Sequence, residues 1–402
     1  MPNTPKKVII SAGGLSSLFL PISKVFPREM VPIGNKPLIH HVLDEAIELN
    51  GQKIGKGNNN TIDIEEICIV YNKNQKIVFD YFHKNEEYKI RKKILEEREQ
   101  CNKLEEIEKL YDKLKDNKIE LKFSKQENFH GLADAIYHTK CPEDGEDSFI
   151  NENDESFFLM LGDILTKNCE ISKNLFSAYR HYGSNIIAAK NISPNEVNVF
   201  GVIDGPKIGN DIYKIRKIME KPTIDESLSN LGIMGRYIFN YEIFEYIEKL
   251  HKQHKESLSV SKTNEEKLYS KFIKGMLIDK KEIKDKYSFN GDEIEYIKKL
   301  CKEHEESLSV CVKNSQNEQD NGSENKINEK IVFSDVMNEM IADKKEIYAQ
   351  RIHNKSIKIW NEFSFLMANI EVLIETEDEN LELSKETIIN YLKQKNMEHE
   401  TV

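Results

Sequence analysis

Residues 6–14, KKVIISAGG, form an apolar run that enters a glycine turn, and KPLIHHVLDEAIEL (36–49) follows with apolar residues at helical spacing behind a proline start. The alternation then repeats. EEICIVY (65–71) reads as a strand, the charged stretch 72–100 as largely helix, IELKFSKQ (119–126) as a strand, GLADAIYHT (131–139) as a helix start and SFFLMLGD (156–163) as a buried strand. Strands alternating with helices predict a parallel or mixed sheet covered on both faces, with ligands beyond the carboxyl ends of the strands. The glycine turn, Gln126 and Asp163 all fall at such ends.

The chain of 402 residues has room for one large α/β domain with appendages or for two smaller domains. A net charge of -11 gives no general electrostatic drive toward nucleic acid or an anionic membrane, although runs such as KIRKK (89–93) supply local basic patches. Cys68, Cys101, Cys141, Cys169, Cys301 and Cys311 show neither CxxC nor Cys/His ligand spacing, which suits reduced thiols in a cytosolic protein. The first apolar run is too short for a signal peptide and none approaches the ~20 residues of a membrane span. A soluble, cytoplasmic protein without membrane contact is expected.

The second half contains a repeat. Residues 237–260 and 287–310 match at a constant offset of 50, and 269–283 resembles 333–347, with the polar insertion VKNSQNEQDNGSENK (312–326) taking up the difference. Two copies are too few for a solenoid, so this reads as a local duplication of a helical segment. The expected division is 1–240, a duplicated helical insertion over 241–330, and 331–402 returning to the first domain. His251, His254 and His304 lie in those helices and are not expected to bind a metal.

Seven stretches carry a resemblance: 12–39 (AGGLSSLFLPISKVFPREMVPIGNKPLI), 126–135 (QENFHGLADA), 159–163 (LMLGD), 201–205 (GVIDG), 220–240 (EKPTIDESLSNLGIMGRYIFN), 333–341 (FSDVMNEMI) and 365–374 (FLMANIEVLI). In order and together, from about residue 7 to residue 375, they resemble the bacterial-type UTP–glucose-1-phosphate uridylyltransferases among the sugar-nucleotide pyrophosphorylases. The resemblance implies a Rossmann-like α/β nucleotidyltransferase fold with a mixed, mostly parallel sheet. Sugar phosphate attacks the α-phosphorus of UTP there, with magnesium bridging the phosphates. Such chemistry depends on charge stabilisation and positioning.

Carried over by that resemblance, Ala12, Gly13, Gly14, Gln126 and Gly131 hold the nucleotide, Gln126 at the uracil edge. Glu220 and Lys221 hold the sugar and its phosphate, and Asp163 is a magnesium ligand. Other positions depart. Ser16, Ser17 and Leu18 stand where the family has Gly-Thr-Arg, Arg28 replaces a lysine, and Lys358 replaces a second metal carboxylate. Trp360 and Ala133 replace glycines. A positioned arginine facing phosphoryl charge is worth roughly a thousandfold in rate, and an ammonium repels a metal.

These departures predict a catalytically inactive relative with no working cofactor and a vestigial metal position at Asp163, where Lys358 is expected to pair with the carboxylate. Its expected role is as a binding, inhibitory or regulatory factor on a macromolecular partner, with a ribonucleoprotein such as the ribosome in first place, and with a nucleotide ligand in the cleft. The alternatives are an active uridylyltransferase that makes UDP-glucose using UTP and magnesium, and a regulatory subunit of an active paralogue. Family analogy allows a homo-oligomer.

Overall fold

The computed structural model describes residues 3–54, 60–127, 130–141, 147–253 and 331–375. The chain divides into one unit of Met1–Glu248 with Lys330–Val402 and a second of Lys249–Glu329. The polar insertion and most of the tandem duplication, including His254 and His304, lie outside the described residues.

The first unit is built on an eleven-stranded sheet. Strand β1 (Lys7–Ala12) pairs in parallel with β4 (Glu66–Asn72) on one side and with β6 (Ser156–Leu161) on the other. Two short strands, β2 (Pro32–Ile33) and β3 (Lys36–Pro37), form a separate hairpin, and β5 (Glu120–Gln126) lies parallel beyond β4. On the far side of β6 the antiparallel β13 (Leu231–Asn240) is followed by β8 (Asn185–Asn191) and β14 (Ile347–Arg351). Between these in sequence come β7 (Ile164–Thr166), β9 (Gly201–Asp204), β10 (Lys207–Gly209), β11 (Ile212–Lys214) and β12 (Lys217–Glu220). β10 and β11 extend the edge beyond β14, while β9 pairs with β12 and β13. Val8, Ile9 and Ile10 are all fully buried. A strand apolar without alternation is one covered on both faces, as the sequence predicts.

The covering helices follow from apolar spacing. In α1 (Leu38–Glu48), Leu38, Ile39, Val42, Leu43, Ala46 and Ile47 are buried, the i, i+3, i+4 stripe of a helix lying on a core. The charged stretch after β4 breaks into α2 (Ile77–Phe82), α3 (Glu86–Glu97) and α4 (Glu105–Asp116). Only α4 of the two longer ones carries buried apolar positions, at Ile107, Leu110 and Leu114. α5 (Leu132–Lys140), α6 (Glu170–Tyr182), α7 (Phe333–Ala342) and α8 (Glu362–Glu375) complete the described helices of this unit apart from one that begins at residue 243.

The strand order reverses beside β1. From β1 the chain moves outward to β4 and β5, then returns to place β6 on the other side. Such a reversal opens a crevice at the carboxyl ends of the two strands. The residues that follow β1 and β6 are Gly13–Gly14 and Gly162–Asp163. Gly162 is required by contact: its N–H donates to the Ser11 carbonyl at 2.9 Å, and a Cβ there would stand 2.9 Å from the same oxygen.

One buried ion pair fixes this edge. Arg236, on β13 and fully buried, places Nη2 2.7 Å and Nε 3.0–3.1 Å from the carboxylate of Glu45 on α1. Its remaining donors reach the carbonyls of Leu161 (3.2 Å), Ile164 (3.0 Å) and Gly235 (3.0 Å). Glu45 also accepts from Ser172 Oγ at 2.9 Å and from the Thr166 hydroxyl. Every donor and acceptor of the pair is thus engaged, which is the condition under which a buried charge is tolerated. The carbonyls of Leu161 and Ile164 flank Gly162–Asp163, so the pair grips both ends of the turn that presents Asp163.

Glu45→Gln, which leaves Arg236 buried and uncompensated, should lower the unfolding free energy by about 3–5 kcal/mol in urea titration. An effect within ~0.5 kcal/mol, the range of an ordinary surface substitution, would show that the pair does not anchor the fold. His40, 1% exposed with Nδ1 2.8 Å from the Tyr81 hydroxyl, is held neutral by burial, its pKa lowered to about 3 against the pull of Asp44. The unfolded chain takes up that proton near ~6.5. Its contribution is therefore complete above pH ~6.5 and is lost progressively as pH falls toward the folded value. His40→Gln should flatten that part of the stability profile, and an unchanged slope would contradict it.

Candidate functional site at the strand reversal

The sheet brings the sequence-predicted residues to one edge. Gly13 and Gly14 leave β1, Gln126 ends β5, Asp163 follows β6, and Glu220 ends β12 with Lys221 after it. Lys358 ends β15 (Ser356–Lys358), whose antiparallel register with β7 sets Lys358 opposite Ile164, and Ile359 N–H donates to the Asp163 carbonyl at 2.9 Å. The segment that follows the insertion in sequence thus completes the site that the amino-terminal half begins.

Gln126 is buried and its amide is held within the protein. Nε2 donates to Asp134 Oδ2 at 2.7 Å and to the Gly131 carbonyl at 3.2 Å. Gly131 has φ 96° and ψ −171°, a conformation open to glycine. The Asp134 carboxyl, although burial works against its charge, is held below its ordinary range by bonds from His138 and Gln126. Gln126 Oε1 lies against Gly13, where a Cβ would come within 2.6 Å of it. With its donors committed, the group that Gln126 retains is an acceptor, suited to the N3–H of a uracil ring. Across the turn, the carbonyl of Gly14 accepts from Gln75 Nε2 at 3.0 Å, while Gly14 itself is exposed. Ala133 is fully buried in α5, and Trp360 packs half-buried against the core.

The charged groups are arranged differently from expectation. Lys358 does not form the ion pair with Asp163. That place is taken by Arg28, whose Nη2 lies 2.8 Å from Asp163 Oδ2 and 3.8 Å from Glu29 Oε1. Lys358 Nζ instead donates to the Val199 carbonyl at 2.9 Å and lies 4.9 Å from the centre of the Phe200 ring. One guanidinium nitrogen, Nη2, serves both carboxylates, whereas the ammonium is satisfied by a carbonyl and a ring face. Lys358 remains in the field of the site. Burial lowers its pKa, Asp163 and Glu220 oppose that, and Arg28 and Lys221 add to it.

Arg28 and Glu29 are adjacent in the sequence and both point inward. Burial works against the Arg28 charge, but Asp163 and Glu29 outweigh it and hold the group above its ordinary range. Burial pushes the Glu29 carboxyl up to about 7, with Arg28 pulling it down and Asp163 adding to the rise. Glu29 is 2% exposed, and its Oε2, like Arg28 Nε, is buried without a hydrogen-bond partner. Glu29 and Asp134 escaped sequence reasoning. Both neighbour residues that were singled out, yet nothing in their spacing distinguishes them from solvated acids.

Residues 7–282 match the nucleotidyl transferase family over more than half of the chain. This chain belongs to that family. Among its relatives, the UTP–glucose-1-phosphate uridylyltransferase 1 of Staphylococcus saprophyticus is 31% identical over 245 residues, which are 61% of this chain and 75% of that protein. The Pseudomonas aeruginosa UTP–glucose-1-phosphate uridylyltransferase is 32% identical over 247 residues, 61% of this chain and 78% of that protein. The fold agrees with solved nucleotidyl transferases. A UDP-glucose pyrophosphorylase in complex with UDP-glucose superposes with a TM-score of 0.58 at 21% identity, covering 93% of this chain and all of that one. The UDP-glucose pyrophosphorylase of Acinetobacter baumannii gives 0.62 at 20% identity, covering 97% and 100%.

The contact between Gly13 and Gln126 is directly testable. Gly13→Ala should push Gln126 out of its place and break its bonds to Asp134 and the Gly131 carbonyl, lowering the unfolding free energy by about 1–3 kcal/mol. Unchanged stability in urea titration would show that Gly13 and Gln126 are not in contact.

Proposed function

We propose that the crevice binds a uridine nucleotide or its sugar conjugate and does not transfer the uridylyl group at an enzymatic rate. The observation that carries this reading is the Arg28–Asp163 ion pair, which commits the carboxylate expected to hold magnesium to a cation of the chain itself. The positions that the resemblance assigns to binding support this reading: the close approach at Gly13, the Gln126 acceptor, and Glu220 with Lys221 at the edge. Leu18 offers no charge to a triphosphate. Transfer is mostly charge stabilisation, so groups needed only for the reaction can be lost while the binding surface persists. A role toward a macromolecular partner, a ribonucleoprotein included, is a further proposal that a nucleotide-holding, non-transferring protein would suit.

A second reading, uridylyl transfer itself, is favoured by the names of the relatives at 31–32% identity. A turnover assay separates the two. With UTP, glucose 1-phosphate and magnesium, no UDP-glucose should accumulate, and Leu18→Arg alone should not create activity. Turnover on the ordinary enzymatic scale of roughly 1–1000 per second would overturn the proposal in favour of transfer.

A further inference from the structure

A divalent cation does not fit the residues around Asp163. Magnesium asks for near-octahedral oxygen ligands, and among the described residues no group of three or more His, Cys, Asp or Glu is placed to hold a metal. Asp163 Oδ2 has a guanidinium nitrogen at 2.8 Å. A second carboxylate, Glu29, is buried and lies 3.8 Å from the same guanidinium. A metal at Asp163 would have to displace Arg28 from both carboxylates and then stand within the field of the Lys358 ammonium. Repulsion of that kind grows in a shielded cleft.

The same residues are well placed to receive an anion. Arg28 borders the exposed glycine turn: a Cβ on Gly14 would be 3.8 Å from Arg28 Nη2. Its Nε, like Glu29 Oε2, is buried and unpartnered, so the group is not fully satisfied within the chain. Lys358 uses one donor on the Val199 carbonyl and is partly exposed, leaving two N–H groups. Lys221, exposed after β12, lies within the same electrostatic neighbourhood.

We infer that this crevice holds the diphosphate of a uridine ligand without a divalent cation, the Arg28 guanidinium and the Lys358 ammonium taking the metal's electrostatic place. The inference rests on the uridine-nucleotide reading of the crevice and adds how the phosphates are neutralised. It distinguishes this chain from a site in which two carboxylates hold a metal and the metal holds the phosphates. Here the cations are covalently part of the protein, so charge compensation is present before the ligand arrives.

The test is calorimetric titration of the full chain with UDP-glucose, once with excess EDTA and once with excess magnesium, repeated for Lys358→Ala and Lys358→Asp. UDP-glucose is preferred to UTP because it chelates magnesium weakly. The wild type should bind equally, within about twofold, under both conditions. Lys358→Ala should lose about tenfold under both. Lys358→Asp should lose binding in EDTA and regain it with magnesium, its thermal midpoint confirming that it folds. Tightening of wild-type binding by magnesium of about tenfold or more would overturn the metal-free inference while leaving the uridine reading intact. No UDP-glucose binding under either condition would overturn the uridine reading, and this inference with it.

Discussion

The bidentate Arg236–Glu45 pair is the constraint from which the geometry of the crevice follows. It joins the antiparallel strand β13 to helix α1, and its spare donors hold the carbonyls of Leu161 and Ile164. Those carbonyls bracket Gly162–Asp163, so this charge pair decides where Asp163 stands. Ser172 and the Thr166 hydroxyl saturate the carboxylate. A half-satisfied pair would destabilise the edge that this one fixes.

With the Asp163 turn held, its carboxylate meets whichever cation can reach it. Arg28 does so from a short 3₁₀ turn, Arg28–Met30, that also buries Glu29. The result is a compact group of one guanidinium between two carboxylates, with an ammonium close by on β15. Arg28 and Lys358, 330 positions apart, look unrelated in the sequence. In the folded chain Arg28 and Lys358 meet at one corner, Arg28 spent on the Asp163 carboxylate and Lys358 bringing the added positive charge.

Much of this was legible beforehand. The strands around β1, the helices α1 and α5, and the gathering of Gly13, Gln126 and Asp163 at one edge follow from apolar runs ending in glycine or polar residues. The partner of Asp163 was not. Lys358 is adjacent to it through backbone register, but direction of approach decides an ion pair, and a sequence carries register far better than side-chain direction. Arg236 carries a signal in the sequence. A lone charge in the apolar strand GIMGRYIF can be buried only with a partner. That requirement points to an acid elsewhere in the core, although it cannot name Glu45 at a sequence separation of 191.

The claim that cations of the chain stand where a metal would is tested most directly by anomalous diffraction from crystals grown with UDP-glucose and manganese. The prediction is a diphosphate against Arg28 and Lys358, the Arg28–Asp163 pair intact, and no anomalous peak at Asp163. A manganese ion bridging Asp163 and the phosphates, with Arg28 turned away, would contradict it.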